Sequence, residues 1–160
     1  MLVPFPFGLL ATAVIFDIAY LLVSNPPRSN TMSLVAFWMI AAGIVGGLLA
    51  APFGLIDYLA IPAGTRAKSV GLLHGVGNVF VLLLFAASIW LRYNSPAVAG
   101  THQPTTLALA LSFAGFALAG LTGWLGGELV DRLGVGVDDG AHLDAPSSLT
   151  NSSARGDASG

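Results

Sequence analysis

Four long apolar runs, at residues 5–23, 34–59, 70–91 and 106–125, decide what this chain can fold into. Each is near the ~20 residues a helix needs to cross a ~30 Å hydrocarbon layer. Backbone N–H and C=O groups find no water at that depth, so each run must pair them within itself, as an α-helix does. Only 9% of the 160 residues are charged and 55% are hydrophobic, with a mean hydropathy of +0.81. A soluble domain carries about 25% charged residues, so a water-facing surface of ordinary size is excluded. The polar residues gather in the breaks SNPPRSNT, IPAGTRAK and RYNSPAVAGTHQPT and in the tail. The fold class expected is therefore all-α: a membrane-embedded, antiparallel four-helix bundle over residues 1–137 with short connections. Pro52 lies inside the second run and predicts a kink rather than an end, because apolar residues continue past it. Residues 138–160 are Ser-, Gly- and Asp-rich. They hold too little apolar surface to offset chain entropy, which predicts a disordered C-terminal tail.

The first run has no positive segment before it, carries Asp17 within it and has no small-residue cleavage pattern behind it. It reads as a retained span. Arg66, Lys68 and Arg132 flank the spans on the side shared by both termini, against Arg28 and Arg92 on the other. That bias predicts cytoplasmic N- and C-termini of a multi-pass cell-membrane protein.

Several function classes drop out. The chain has no cysteine, which removes disulfides, thiolate metal sites, iron–sulfur ligation and covalent c-type haem. A net charge of −2 with no basic run gives nucleic acid nothing to bind. No nucleophile stands beside a base in a recognisable motif, and the glycine-rich GWLGGELV closes a membrane helix instead of following a strand. No enzymatic activity is read from these residues, and the question of one stays open.

Close helix packing has clear candidates. Gly43 and Gly47, Gly71 and Gly75, and Gly123 and Gly127 are each four apart, and Gly115 and Ala119 extend the last seam. Small residues at this spacing share a helix face and let backbones approach, within one chain or between copies. Trp38, Trp90, Tyr20, Tyr58 and Tyr93 fall near span ends, as an interfacial aromatic belt does.

The polar residues at membrane depth are the candidate site. Asp17 lies about 18 Å along its span, and a charge at mid-span costs on the order of 3 kcal/mol. It must meet the bundle interior, a water pocket or a cation, for which Arg28 or Arg92 can snorkel from the nearer face. It reads either as a proton or ligand site or as a hydrogen bond that fixes helix register. His74 and Asn78 are four apart and share a face. In an antiparallel bundle Asp57, Glu128 and Arg66 come to the same membrane side. The cluster reads as a pocket for a head group, a quinone-like ligand, a haem or a proton, built on His74, Asn78 and Asp57. It reads also as an interfacial network that ties helix ends together, with Arg66 and Lys68 as ordinary topology charges. A b-type haem in a bundle takes two axial ligands. His102 and His142 lie in a loop and in the tail, and Met39 serves as well as core filler, so a second ligand to pair with His74 is not evident.

Three segments, PFGLLATAVIFDIAYLL, GLIDYLAIPAGTRAKSVGLLHGVGN and GWLGGELVDRLGVGV, occur in that order. With their spacing they resemble the bacterial integral membrane proteins of domain-of-unknown-function family 2231, over most of residues 1–137. The resemblance implies a four-helix integral membrane protein with no established activity. Related domains are sometimes fused to Rieske-type or cytochrome c-type modules, which implies a redox-chain setting and a redox-chain protein partner. Pro4 and Leu133 stand where family members often carry histidine, so a haem or metal held by those histidines is not carried over.

The function expected is that of an accessory or anchor subunit in the lipid bilayer, able to form a homo-oligomer, with a polar site at one membrane face. The alternative is a haem-, quinone- or proton-linked redox subunit using His74, Asp57 and Asp17. A small transporter would show paired broken helices or an inverted repeat, and neither is visible.

Overall fold

The computed structural model describes residues 4–23, 28–95, 100–138, 140–145 and 147. Four helices account for nearly all of them: α1 (Pro4–Leu22), α2 (Arg28–Ala60), α3 (Arg66–Tyr93) and α4 (Thr106–Gly127). A π-helical turn, Glu128–Arg132, continues α4. All four are long and apolar enough to cross a membrane. The chain is a multi-pass membrane protein built as an antiparallel bundle, and the described residues contain no strand.

α2 and α3 start four to six residues before their apolar runs, at Arg28 and Arg66. α3 begins at Arg66 because Thr65 caps it: the Thr65 hydroxyl accepts from the Lys68 backbone N–H at 3.1 Å. Arg66 and Lys68, read from the sequence as loop residues, thus lie in the first helical turn. Thr105 caps α4 in the same way, accepting from the Ala108 N–H at 3.1 Å. α2 runs unbroken through Pro52 for 33 residues. That is about 50 Å at 1.5 Å per residue, longer than the hydrocarbon layer alone requires.

Neighbours pack in the ring order α1, α2, α3, α4, so α1 faces α3 across one diagonal and α2 faces α4 across the other. The α1–α2 and α3–α4 hairpins make the broadest contacts, and α1 touches α4 only narrowly. Leu10, Ala13 and Val14 of α1, Ile40 of α2, Val81 and Phe85 of α3 and Ala119 of α4 form the buried core. Met39 packs against that core. The outer faces are apolar too: Leu48, Leu72, Leu83 and Leu121 are all exposed. In water such a surface would aggregate; against acyl chains it is the expected finish.

The glycines divide into packed and open positions. A Cβ on Gly43 would come within 2.6 Å of the Leu10 side chain, and one on Gly47 within 2.7 Å of Leu82. Gly43 therefore admits α1 and Gly47 admits α3. A Cβ on Gly115 would meet Phe85 at 2.9 Å, and one on Gly71 would meet Tyr58 at 3.2 Å. Gly75 and Gly123 have open space, and Gly127 approaches only Asp131 on its own turn. The expected 71/75 pair is thus half a seam, and 123/127 joins no helices within the chain.

α1 is shorter than its partner. Gly46 lies against Phe5 and Pro6, so α2 from about residue 48 onward runs past the start of α1. From there it packs on α3 alone, with Tyr58 and Ile61 against Gly71. Most of the expected tail, residues 139, 146 and 148–160, lies outside the described residues.

Candidate functional site

Asp17 finds its cation across the diagonal. The Arg92 guanidinium donates from Nη1 to Asp17 Oδ1 at 2.8 Å and from Nη2 to Oδ2 at 2.7 Å. Both side chains have zero solvent exposure. This bidentate fork matches the planar guanidinium to the carboxylate and leaves both oxygens as acceptors. Arg92 Nε donates to Ser88 Oγ at 3.2 Å, and Nη2 also reaches Ser112 Oγ at 3.2 Å. The two serine hydroxyls are 2.8 Å apart, and Ser88 Oγ donates to the Ala108 carbonyl at 2.8 Å. One network therefore ties α1, α3 and α4. No buried side-chain nitrogen or oxygen among the described residues lacks a partner.

The geometry follows from helix spacing. Ser88 and Arg92 are four apart and share the inward face of α3. Ser112 lies opposite on α4, where a larger side chain would fill the space the guanidinium occupies. Of the two arginines weighed for Asp17, Arg92 is the partner; the Arg28 side chain lies outside the described residues. Ser88 and Ser112 are the components that sequence reading missed. The available signal was a serine one turn before an arginine in an otherwise apolar helix.

A second network lies toward the other membrane face. His74 Nδ1 is 2.8 Å from the Thr122 carbonyl, and His74 Nε2 is 3.0 Å from Asn78 Nδ2. The Thr122 hydroxyl donates to Asn78 Oδ1 at 2.9 Å, and it lies 3.1 Å from the Ala119 carbonyl. A carbonyl can only accept, so Nδ1 carries the proton; Nε2 then accepts from the Asn78 amide. The pairing of His74 with Asn78 stands as their spacing suggests, and Thr122 completes it. Two glycines make the approach possible. Gly77 faces the Thr122 side chain, and a Cβ on Gly126 would come within 3.0 Å of His74 Cε1.

The remaining candidates are placed apart from the ring. Arg66 Nη2 donates to Glu128 Oε1 at 2.6 Å, with Arg132 Nε at 3.8 Å from Glu128 Oε2. The Glu128 carboxylate is nearly covered at 10% exposure, while Arg66 is open at 62%. Lys68 Nζ donates to the Tyr58 carbonyl at 2.7 Å and sits 3.9 Å from the Tyr58 ring centroid. Asp57 is exposed on α2 and makes no hydrogen bond or ion pair with another described residue. The structure therefore brings together His74 with Asn78, and Arg66 with Glu128, and leaves Asp57 outside both.

As a metal or haem site the cluster offers little. Both His74 nitrogens are engaged, and the described residues hold no group of three His, Cys, Asp or Glu with metal-binding proximity. His102 stacks on Phe37 at 3.9 Å between ring centroids, and Tyr93 lies 6.0 Å away. It holds φ at 48°, a left-handed conformation uncommon outside glycine. Gln103 Nε2 donates to Asn30 Oδ1 at 2.6 Å, so this loop is fastened over the start of α2. Trp38, Trp90 and Tyr93 point outward at 58–68% exposure, in keeping with an aromatic belt; Trp124, at 69%, adds to it.

No curated protein and no solved structure matches this chain. The family model described as "Predicted membrane protein (DUF2231)" matches residues 1–139. With nearly the whole bundle covered, the chain belongs to the DUF2231 family of predicted membrane proteins.

Proposed function

We propose that this protein is an accessory or anchor subunit of a membrane assembly, whose intramembrane polar residues hold the helices in register. The observation that carries the reading is the Asp17–Arg92 fork, sealed at zero exposure and closed by Ser88 and Ser112. A substrate or ion pathway needs a polar group that water or ligand can reach. Here both charges are spent on each other, and what faces outward is an apolar surface suited to lipid or to another membrane helix. Arg92 is neutralised inside the bundle, which leaves Arg66, Lys68 and Arg132 near the spans on one side against Arg28 on the other. That excess supports cytoplasmic termini.

A haem- or quinone-linked redox role asks more of the site. His74 would have to release the Thr122 carbonyl or Asn78 to take iron or a quinone oxygen. Thermal unfolding of the detergent-purified protein, with and without haem b and a short-chain quinone, separates the two. The anchor reading expects no Soret band and no ligand-dependent rise in Tm. A Tm rise or Soret band that disappears in His74→Ala would overturn it.

A further inference from the structure

Around His74 the hydrogen bonds form a closed circuit that can be reversed. In the arrangement observed, Nδ1–H donates to the Thr122 carbonyl, Asn78 Nδ2–H donates to Nε2, and the Thr122 hydroxyl donates to Asn78 Oδ1. If Nε2 takes a proton, the Asn78 amide must turn over, because two donors cannot face each other. Oδ1 then accepts from Nε2–H, and Nδ2–H points at Thr122 Oγ. The hydroxyl needs a new acceptor, and the Ala119 carbonyl is already 3.1 Å away. Nδ1–H stays on the Thr122 carbonyl throughout. Every polar atom of the three side chains is paired in both arrangements.

We infer that His74, Asn78 and Thr122 form a proton-binding site in the α3–α4 interface, in which protonation of Nε2 is coupled to rotation of the Asn78 amide and the Thr122 hydroxyl. The ligand is a proton, delivered from water to the Nε2 lone pair; no bond between heavy atoms changes. His74 and Asn78 are half-buried, while Thr122 is buried and holds the far end of the circuit. An unpaired imidazolium at this depth would be costly. The circuit lowers that cost by offering the new N–H an acceptor without orphaning another group.

The charged neighbours do not already fill this role. On α3, Arg66 and Lys68 lie about two turns before His74, engaged with Glu128 and with the Tyr58 carbonyl. Beyond Thr122, Glu128 accepts from Arg66, with Arg132 beside it, and Asp131 is exposed on the same turn. On α2, Asp57 is exposed and Tyr58 packs against Gly71. None of these side chains hydrogen-bonds the ring, so the proton is accommodated by neutral dipoles. The inference is independent of the anchor role proposed above, since a structural tie and a proton site can share the same residues.

The test is nitrogen NMR of the full chain in detergent micelles with 15N-labelled histidine and asparagine, His74 being assigned by its loss in His74→Gln. At high pH the ring is expected as the Nδ1–H tautomer, the less common form of a free imidazole. On acidification a second ring proton should appear at Nε2, the Asn78 amide signals should move with the same midpoint, and the helical circular dichroism should persist. In His74→Gln, which removes the titrating ring, the Asn78 amide signals should no longer move with pH. If that variant does not fold, the wild-type coincidence of ring and amide midpoints decides the matter. An Nε2–H tautomer at high pH, an Asn78 amide that stays still while the ring titrates, or protonation that occurs only as the helices unfold would each overturn the inference.

Discussion

Replacing Asp17 by Asn keeps the shape of the side chain and removes its charge. Two hydrogen bonds from the guanidinium to a carboxylate, at 2.8 and 2.7 Å, become at most one, to an uncharged amide oxygen. The Arg92 guanidinium, fully buried, is left without a counter-charge, and it cannot shed its own. Removing one partner of a buried pair costs about 3–5 kcal/mol. For a chain of this size that is a Tm lower by roughly 6–20 °C. Arg92→Met should cost less, because the stranded carboxyl can take up a proton; its stability should rise as pH is lowered, whereas that of Asp17→Asn should not. The double variant Asp17→Leu/Arg92→Leu should recover much of the loss, since apolar replacement of a buried pair is often close to neutral. Ser88 and Ser112 would still bond to each other, and Ser88 to the Ala108 carbonyl. The assay is thermal unfolding in detergent by circular dichroism across pH 5 to 8. Single variants within about 1 kcal/mol of wild type, or a double variant whose loss is the sum of the singles, would refute the reasoning.

Three further outcomes follow from packing and exposure. Gly43→Val should destabilise by about 1–3 kcal/mol, because even a Cβ presses on Leu10, while Gly123→Ala, with open space around it, should hold or raise Tm. Arg66→Ala should shift stability by no more than about 1 kcal/mol in the same melts, since its guanidinium is largely in solvent. Asp57→Asn should leave both Tm and the His74 titration unchanged, because its exposed carboxylate pairs with no described residue.

Helix number and span follow directly from the apolar runs, because a bilayer leaves the backbone no other way to pair its polar groups. That Asp17 needs a partner is likewise readable from its depth. Which partner is not. Arg92 sits beside the turn-rich RYNSPAVAGTHQPT and reads as an interfacial charge, yet it closes a contact with a residue 75 positions away across the bundle diagonal. Only the phase of α3, visible in Ser88 one turn earlier, hints that it faces inward. His74 and Asn78 could be paired from their spacing, but the Thr122 carbonyl could not be foreseen, since the sequence does not mark which backbone acceptors are free to bond twice. Asp57 lies apart from that pair for a related reason. Tyr58 of α2 and Ile61 just beyond its end meet Gly71 of α3, and Asp57 is exposed on a stretch α1 does not reach.

The antiparallel crossing of the bilayer can be read most directly by sidedness. The chain has no cysteine, so single ones report without background. Ala63→Cys and Ala141→Cys lie beyond one end of the bundle and Ser95→Cys beyond the other. In sealed vesicles of uniform orientation a membrane-impermeant thiol reagent should label either Ser95→Cys alone or the other two alone, and in vesicles of the opposite orientation the pattern should reverse. Labelling of all three from one side would contradict the bundle described here.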